Sequence, residues 1–193
     1  MSEKIIKKES KTDEQVAVNI RTFSLAKGVK ENGPEVAAIR SYIKSKGKDR
    51  SKIDPLLKSK KILSVDEKHN IIVDAGLAEY AKALAGQRAT VPVINYGLLG
   101  TGTPNVIPGA TQLVSEQYRK LYSSHSNDGN IAYIDFFFAA GEFTGTATEF
   151  GNVIDGTASA NTGTLHSYIA TGGWAKTAPQ SLFVSCEYHI NNA

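Results

Sequence analysis

Ile131-Ala-Tyr-Ile-Asp-Phe-Phe-Phe138 and Ser181-Leu-Phe-Val-Ser-Cys-Glu-Tyr-His-Ile190 are the two stretches on which the reading of the fold turns. The first is dense in aromatic and β-branched residues, which suit a pleated and covered surface, so it reads as a buried central strand. The second nearly alternates and puts Leu182, Val184, Cys186, Tyr188 and Ile190 on one face. Glu142 to Asp155 and Leu165 to Ala170 add further strands. Val91 to Leu99 is also strand-like and runs into the turn-rich Gly100-Thr-Gly-Thr-Pro-Asn105 and Pro108-Gly109. Thr111 to Tyr122 fits helix and strand equally. Strands punctuated by Gly, Thr, Asn and Ser turns, without the repeated crossover helices of a parallel sheet, imply antiparallel pairing. The expected fold is mainly β: an antiparallel, jelly-roll-like β-sandwich with one or two short helices and an extended basic N-terminal arm.

Upstream, Asp74 is a suitable N-cap. Leu77, Tyr80, Ala81 and Leu84 follow at helical spacing and Gly86 closes the segment, so 75–85 is predicted as a helix that buries this face. Ile62 to Val65 and Asn70 to Val73 flank the polar Asp66-Glu67-Lys68-His69, as in a hairpin or a strand leading into that helix. Gly33-Pro34 opens an earlier helix, with Val36, Ala37, Ile39, Tyr42 and Ile43 as its apolar stripe and Gly47 as its stop. Val16 to Leu25 reads as a short strand, residues 1–15 as a flexible arm, and Lys44 to Lys61 as an exposed connection with a helical turn near Pro55. The charge divides in the same way. Residues 1–69 hold 17 basic and 10 acidic side chains, a balance of +7, whereas 70–193 hold 5 and 9, a balance of −4. Two regions with different surroundings are expected: 1–61 as basic arm and linker with a short helix, and 62–193 as a β-rich assembly domain.

Little in the sequence points to a reaction centre. A chain of 193 residues buries roughly 70% of its unfolded surface and needs neither disulfide nor metal to fold. Cys186, the single cysteine, lies in an apolar run and reads as a buried structural thiol. His69, His125, His166 and His189 have no partner at metal-ligand spacing. Glu142, Glu149 and Asp155 are close enough in sequence to suggest an acid–base pair, but in a strand-rich stretch they read more simply as solvent-facing or capping groups. Gly100-Thr-Gly-Thr lacks the third glycine of a dinucleotide loop and the lysine of a P-loop. Asp128-Gly and Asp155-Gly suit tight turns without calcium-ligand spacing, and G-x-S-x-G is missing. The N-terminal lysines are mixed with acidic residues and have no aromatic interleaving, which weighs against nucleic acid. No segment reaches the roughly 20 apolar residues needed to span a bilayer, and Met1 to Gln15 lacks the apolar core of a secretory signal. No catalytic, cofactor-binding or metal residue is therefore expected. Trp174, behind Gly172-Gly173, reads equally well as a core anchor or an interface anchor.

Several short blocks occur in a suggestive order: Asn70-Ile-Ile-Val-Asp-Ala-Gly-Leu77, Tyr96-Gly-Leu-Leu-Gly-Thr-Gly-Thr103, Thr111-Gln-Leu-Val-Ser-Glu-Gln-Tyr-Arg119, Phe136-Phe-Phe138, Thr148-Glu-Phe-Gly151 and Gly163-Thr-Leu165. Over roughly residues 62–191 this order resembles small tail, tail-fibre and head-associated structural proteins of tailed bacteriophages. The resemblance implies a non-enzymatic virion component that is built in the host cytoplasm, self-associates and docks to other virion proteins. Lys4, Lys7, Lys8, Lys11 and Trp174 are then the expected assembly contacts. Gly97, Gly100 and Gly102 would permit tight turns, and Glu116 would pair with Arg119 if that segment is helical. The alternative is a carbohydrate- or receptor-binding fibre module, which calls for Trp174, Tyr133 or Tyr168 exposed on one face.

Overall fold

A computed structural model describes residues 16–190. In chain order these form β1 (Val16–Leu25), α1 (Pro34–Lys44), a single 3-10 turn, α2 (Asp54–Lys58), β2 (Ile62–Ile72), α3 (Asp74–Leu84), β3 (Ile94–Gly100), β4 (Glu116–Leu121), β5 (Ser124–Asp128), β6 (Ile131–Phe138), β7 (Gly145–Ile154), β8 (Thr164–Lys176) and β9 (Ser181–Ile190). The strands pair antiparallel throughout, in the order β4-β3-β7-β8-β2-β1-β9-β6-β5. The chain is thus mainly β, as expected, in one curled sheet of nine strands. Its two halves meet at β2, which pairs along its length with β1 but with β8 only at Ile71–Tyr168 and Ile72–Ser167.

The curl brings the ends of this order together. Only Tyr122 and Ser123 separate β4 from β5. The Tyr122 N–H donates to Asn95 O (3.0 Å) in β3, and the Ser123 N–H donates to Asp135 O (2.7 Å) in β6. Inside the curl, Ile20, Leu99, Phe136, Phe138, Phe150, Ile169, Trp174 and Val184 make one apolar cluster. The outer face of β1, β9 and β6 carries Phe23, Leu25, Phe183 and Phe137, and α1 covers it with Val36, Ile39, Tyr42 and Ile43. Being covered on both faces is why Phe136-Phe137-Phe138 is an unbroken apolar run rather than an alternating one: its outer members point into the curl and Phe137 points under α1. β9 has the predicted alternation, with Leu182, Val184, Cys186 and Tyr188 inside, while Ile190 at its end is exposed.

Several expectations change in three dimensions. The boundary at residue 61 does not separate two packing units among the described residues. β1 lies mid-sheet between β2 and β9, and α1 is a lid on it, so residues 16–61 are part of the fold and not a linker. The apolar content of Val16–Leu25 is what a strand with two paired edges requires. Lys4, Lys7, Lys8 and Lys11 lie outside the described residues. Asp66 to His69 form no hairpin turn; they continue β2, paired with Thr22 to Asn19. Thr111–Tyr122 resolves into a loop followed by β4. There Glu116 and Arg119 do pair, Nε to Oε1 at 2.6 Å and Nη2 to Oε2 at 2.8 Å, although the segment is a strand. A register shift at Leu99/Gly100 beside Glu116 accompanies this three-residue spacing.

Helix α3 lies where predicted, and Tyr80 of its expected buried face turns in to His166, but Leu77, Ala81 and Leu84 turn outward. Gly76 and Glu79 are its buried residues, while Leu77 is 47% and Leu84 91% exposed. A side chain at 76 would place its Cβ 2.7 Å from His166 O, so only glycine lets the helix come this close to β8. Glu79 is covered while pairing with Lys82 (2.8 Å) and Arg88. Asp74 is the first helical residue rather than the cap, which is Val73.

The expected turn role of Gly97 is also replaced by close approach. Its φ is not positive, and a Cβ there would lie 2.6 Å from Phe136 Cγ across the curl. Gly97→Ala is therefore expected to lower unfolding free energy by about 1–3 kcal/mol through overpacking. Gly109→Ala, which meets nothing within 4 Å, should leave it within about 0.5 kcal/mol. Urea denaturation of the two variants checks this.

Candidate functional site

The three carboxylates that sequence proximity suggested do not converge. Glu142, before β7, pairs with Lys120 and accepts the Ala139 N–H (2.7 Å). Asp155, just past β7, pairs with Arg88. Glu149, within β7, is fully buried and binds the Gly100–Ser115 loop. Its Oε2 accepts the N–H groups of Gly102 (3.0 Å) and Ser115 (3.0 Å), and its Oε1 accepts the Val114 N–H (2.9 Å) and the Tyr168 hydroxyl. Burial and this carboxylate push the Tyr168 hydroxyl up to about 12, so it stays a donor at neutral pH. Gly100 and Gly102 leave the room: a Cβ at either would lie 2.6 or 2.7 Å from Glu149 Oε2. The glycine-rich loop thus cradles a carboxylate of its own chain. With four donors on two oxygens, Glu149 is a structural clamp with no capacity left for a substrate proton.

A second buried polar group joins the two halves of the sheet. Asn152 on β7 meets Ser167 on β8 (Oγ to Oδ1, 3.0 Å) and Tyr188 on β9, and Ser167 Oγ lies 3.1 Å from the Tyr188 hydroxyl. His166 Nδ1 is 3.1 Å from Asn152 Oδ1, and Nε2 is 2.8 Å from the Tyr80 hydroxyl of α3. A neutral imidazole protonated at Nδ1 satisfies both contacts, donating to Asn152 and accepting from Tyr80. Burial holds its pKa down to about 3 and pushes Tyr80 up to about 12. Cys186, buried against Asn152 Nδ2 at 3.7 Å, is a structural thiol that burial pushes well above its ordinary range. All these groups are shut inside, and their geometry suits cohesion rather than turnover. Among the described residues no three His, Cys, Asp or Glu gather as a metal site.

Trp174 is 7% exposed and belongs to the inner cluster, 5.6 Å from the Phe150 ring, with its indole N–H given to Asp66 Oδ2 (2.9 Å). The geometry favours the core-anchor reading. Tyr133 (3% exposed) and Tyr168 (1%) are buried in two other clusters, so the three aromatics share no exposed face.

One concave site was not legible in the sequence. A cleft of about 420 Å3 opens between α1 and the β5–β6 edge, lined by Arg40, Lys44, Ser124, Ser126, Tyr133 and Asp135 among others. Arg40 is held by Asp135 (Nε to Oδ2, 2.9 Å), by Ser123 Oγ (3.4 Å) and over the Phe183 ring at 5.6 Å. Ser185 Oγ donates to the other Asp135 oxygen at 2.8 Å. Arg40 and its partners Ser123 and Asp135 are 83 and 95 positions apart and carry no local motif. Neither a protein family, nor a curated protein, nor a solved structure matches the chain.

Two expectations follow. Glu149→Gln replaces an acceptor oxygen by a donor facing amides, and should lower stability by about 1–3 kcal/mol in denaturant titrations. Because the folded pKa of His166 is depressed below the unfolded value of about 6.5, its contribution is complete above pH 6.5 and is lost as pH falls towards 3. Below pH 6.5 the wild type should lose about 1.4 kcal/mol per pH unit from this residue. His166→Gln should lack that component when both proteins are melted between pH 7 and 4.5.

Proposed function

We propose that this chain is a structural subunit of a bacteriophage virion, a tail, neck, baseplate or head-decoration protein that associates with copies of itself and with neighbouring virion proteins. The observation that carries this reading is the outward apolar stripe of α3. Leu77, Ala78, Ala81, Leu84 and Ala85 recur at the spacing of one helical face, and all are exposed. Val91, at 78% exposure, follows on the next segment. A surface helix ordinarily buries such a stripe, and an exposed one marks a place for another protein.

The stripe is self-complementary. Antiparallel pairing with a second copy would bring Ala81 to the two-fold axis and set each leucine opposite an alanine, Leu77 against Ala85 and Leu84 against Ala78. The carboxylates and histidine that could have served chemistry are engaged in holding the fold, which suits a building block better than an enzyme. The two halves of the curled sheet, facing each other across the inner cluster, fit the leaves of a jelly-roll-like sandwich. The basic residues Lys4, Lys7, Lys8 and Lys11 would lie on adjacent subunits in this reading. The fibre-module alternative loses its aromatic platform, since Trp174, Tyr133 and Tyr168 are buried apart.

Leu84→Glu separates assembly from folding. Its site is almost fully exposed, so the melting free energy should change by no more than about 0.5 kcal/mol. Sedimentation velocity should show oligomers of the wild type shifting to monomers in the variant. A wild type that stays monomeric at high concentration, alone and with virion extracts, would overturn the reading.

A further inference from the structure

We infer that the cleft between α1 and the β5–β6 edge is a binding site for an acidic sugar residue, a monoanion with several free hydroxyls. Its groups converge without being used up by the protein. Arg40 spends Nε and Nη2 on Asp135 and Ser123 and leaves Nη1 without a partner among the described residues. Lys44, exposed on the last turn of α1, makes no ion pair there either. The hydroxyls of Ser41, Ser124 and Ser126, which also line the cleft, have no hydrogen-bond partner among the described residues. Tyr133 lines it as well, and its buried hydroxyl is unpaired. A buried hydroxyl without a partner costs free energy, and such groups ordinarily have a partner in protein, water or ligand.

The charges set the class of ligand. Asp135 is paired with Arg40, bonded by Ser185 and also attracted by Lys44; two cations against one carboxylate leave the cleft one net positive charge. One carboxylate or sulfate on the ligand balances it. Four hydroxyls, each able to donate and accept, then suit the neighbouring hydroxyls of a sugar ring and not a bare anion or an apolar molecule. At about 420 Å3 the cleft falls in the range of small-molecule sites, roughly 300–1,000 Å3. Arg40 is preorganised by Asp135, Ser123 and Phe183, Ser124 and Ser126 stand on β5 paired with β6, and Ser41 stands on α1, so little ordering is needed on binding. The site lies on α1, β5 and β6, away from the α3 stripe, and does not depend on the assembly reading.

Titration of the full 15N-labelled chain with glucuronate, followed by two-dimensional NMR, tests the inference. Glucose and inorganic sulfate serve as parallel probes. Glucuronate should saturate shifts at Ser124, Ser126, Tyr133 and Lys44, with glucose and sulfate each at least about tenfold weaker. Lys44→Gln and Ser126→Val, both peripheral to the packed core, should weaken glucuronate about tenfold and fivefold while melting like the wild type. Equal binding of glucose would overturn the charge assignment. Equal binding of sulfate alone would reduce the site to a simple anion contact and overturn the sugar. Absence of saturable shifts in the cleft, or binding unchanged by both substitutions, would overturn the site itself.

Discussion

A single neutral imidazole fixes the arrangement of the molecule. His166 sits on β8 with Asn152 of β7 on one ring nitrogen and Tyr80 of α3 on the other. Through Asn152 it reaches Tyr188 on β9, and so the opposite half of the sheet. Through Tyr80 it sets the rotation of α3 about its axis. With Gly76 pressed on the His166 backbone and Tyr80 bonded to its ring, the helix has no choice but to turn Leu77 and Leu84 outward. An interior hydrogen bond thereby decides which face of α3 is exposed. Every member of the ring is bonded, which is the condition under which a buried polar network adds cohesion instead of cost.

The buried charges are likewise paired across elements. Arg21 of β1 lies between Glu187 of β9 and Glu67 of β2, and so ties three neighbouring strands together beneath the edge of α1. Asp135 is matched by Arg40 of α1, and Glu149 by amides of the loop it holds. A lone ion in these positions would be costly, and its removal from a pair typically more so than the pair is worth. These contacts explain why the acidic residues of an outwardly plain β protein are so deeply placed. At the α1–β5–β6 cleft, by contrast, polar groups gather in excess of what the fold consumes.

How much of this was legible in the sequence follows from which signals are local. β6 and β9 are readable because residue type and alternation report burial directly. The helix near 75–85 is readable because its spacing and Gly86 are local, but its orientation is not: Gly76 and the Glu79–Arg88 pair act through β8 and a distant arginine, and leucine periodicity misleads there. The strand character of Asp66–His69 comes from pairing with β1, which no window of polar residues announces. The blocks Gly100-Thr-Gly102, Leu113–Glu116 and Glu149-Phe-Gly151 looked like separate weak signals. They prove to be one contact set, in which Glu149 bonds the first two and Leu113 Cδ1 lies 2.8 Å from where a Cβ at Gly151 would be. The cleft left no trace because its serines and cations are ordinary surface residues until α1 is laid beside β5.

The position of β1 also governs when the protein can come into being. Its two edges are taken by β2 and by β9, and the register with β9 runs from Val16–Ile190 to Leu25–Ser181. During synthesis β1 therefore stays half-paired until β9, far along the chain, has been made. Until β9 emerges, Ile20 lacks the cover of Val184, and Phe23 that of Phe183, and non-local closure of this kind is slow and vulnerable to aggregation. Without β9, β1 and β6 would each keep an open edge. Closure of the curl therefore hangs on one pairing between strands far apart in the chain.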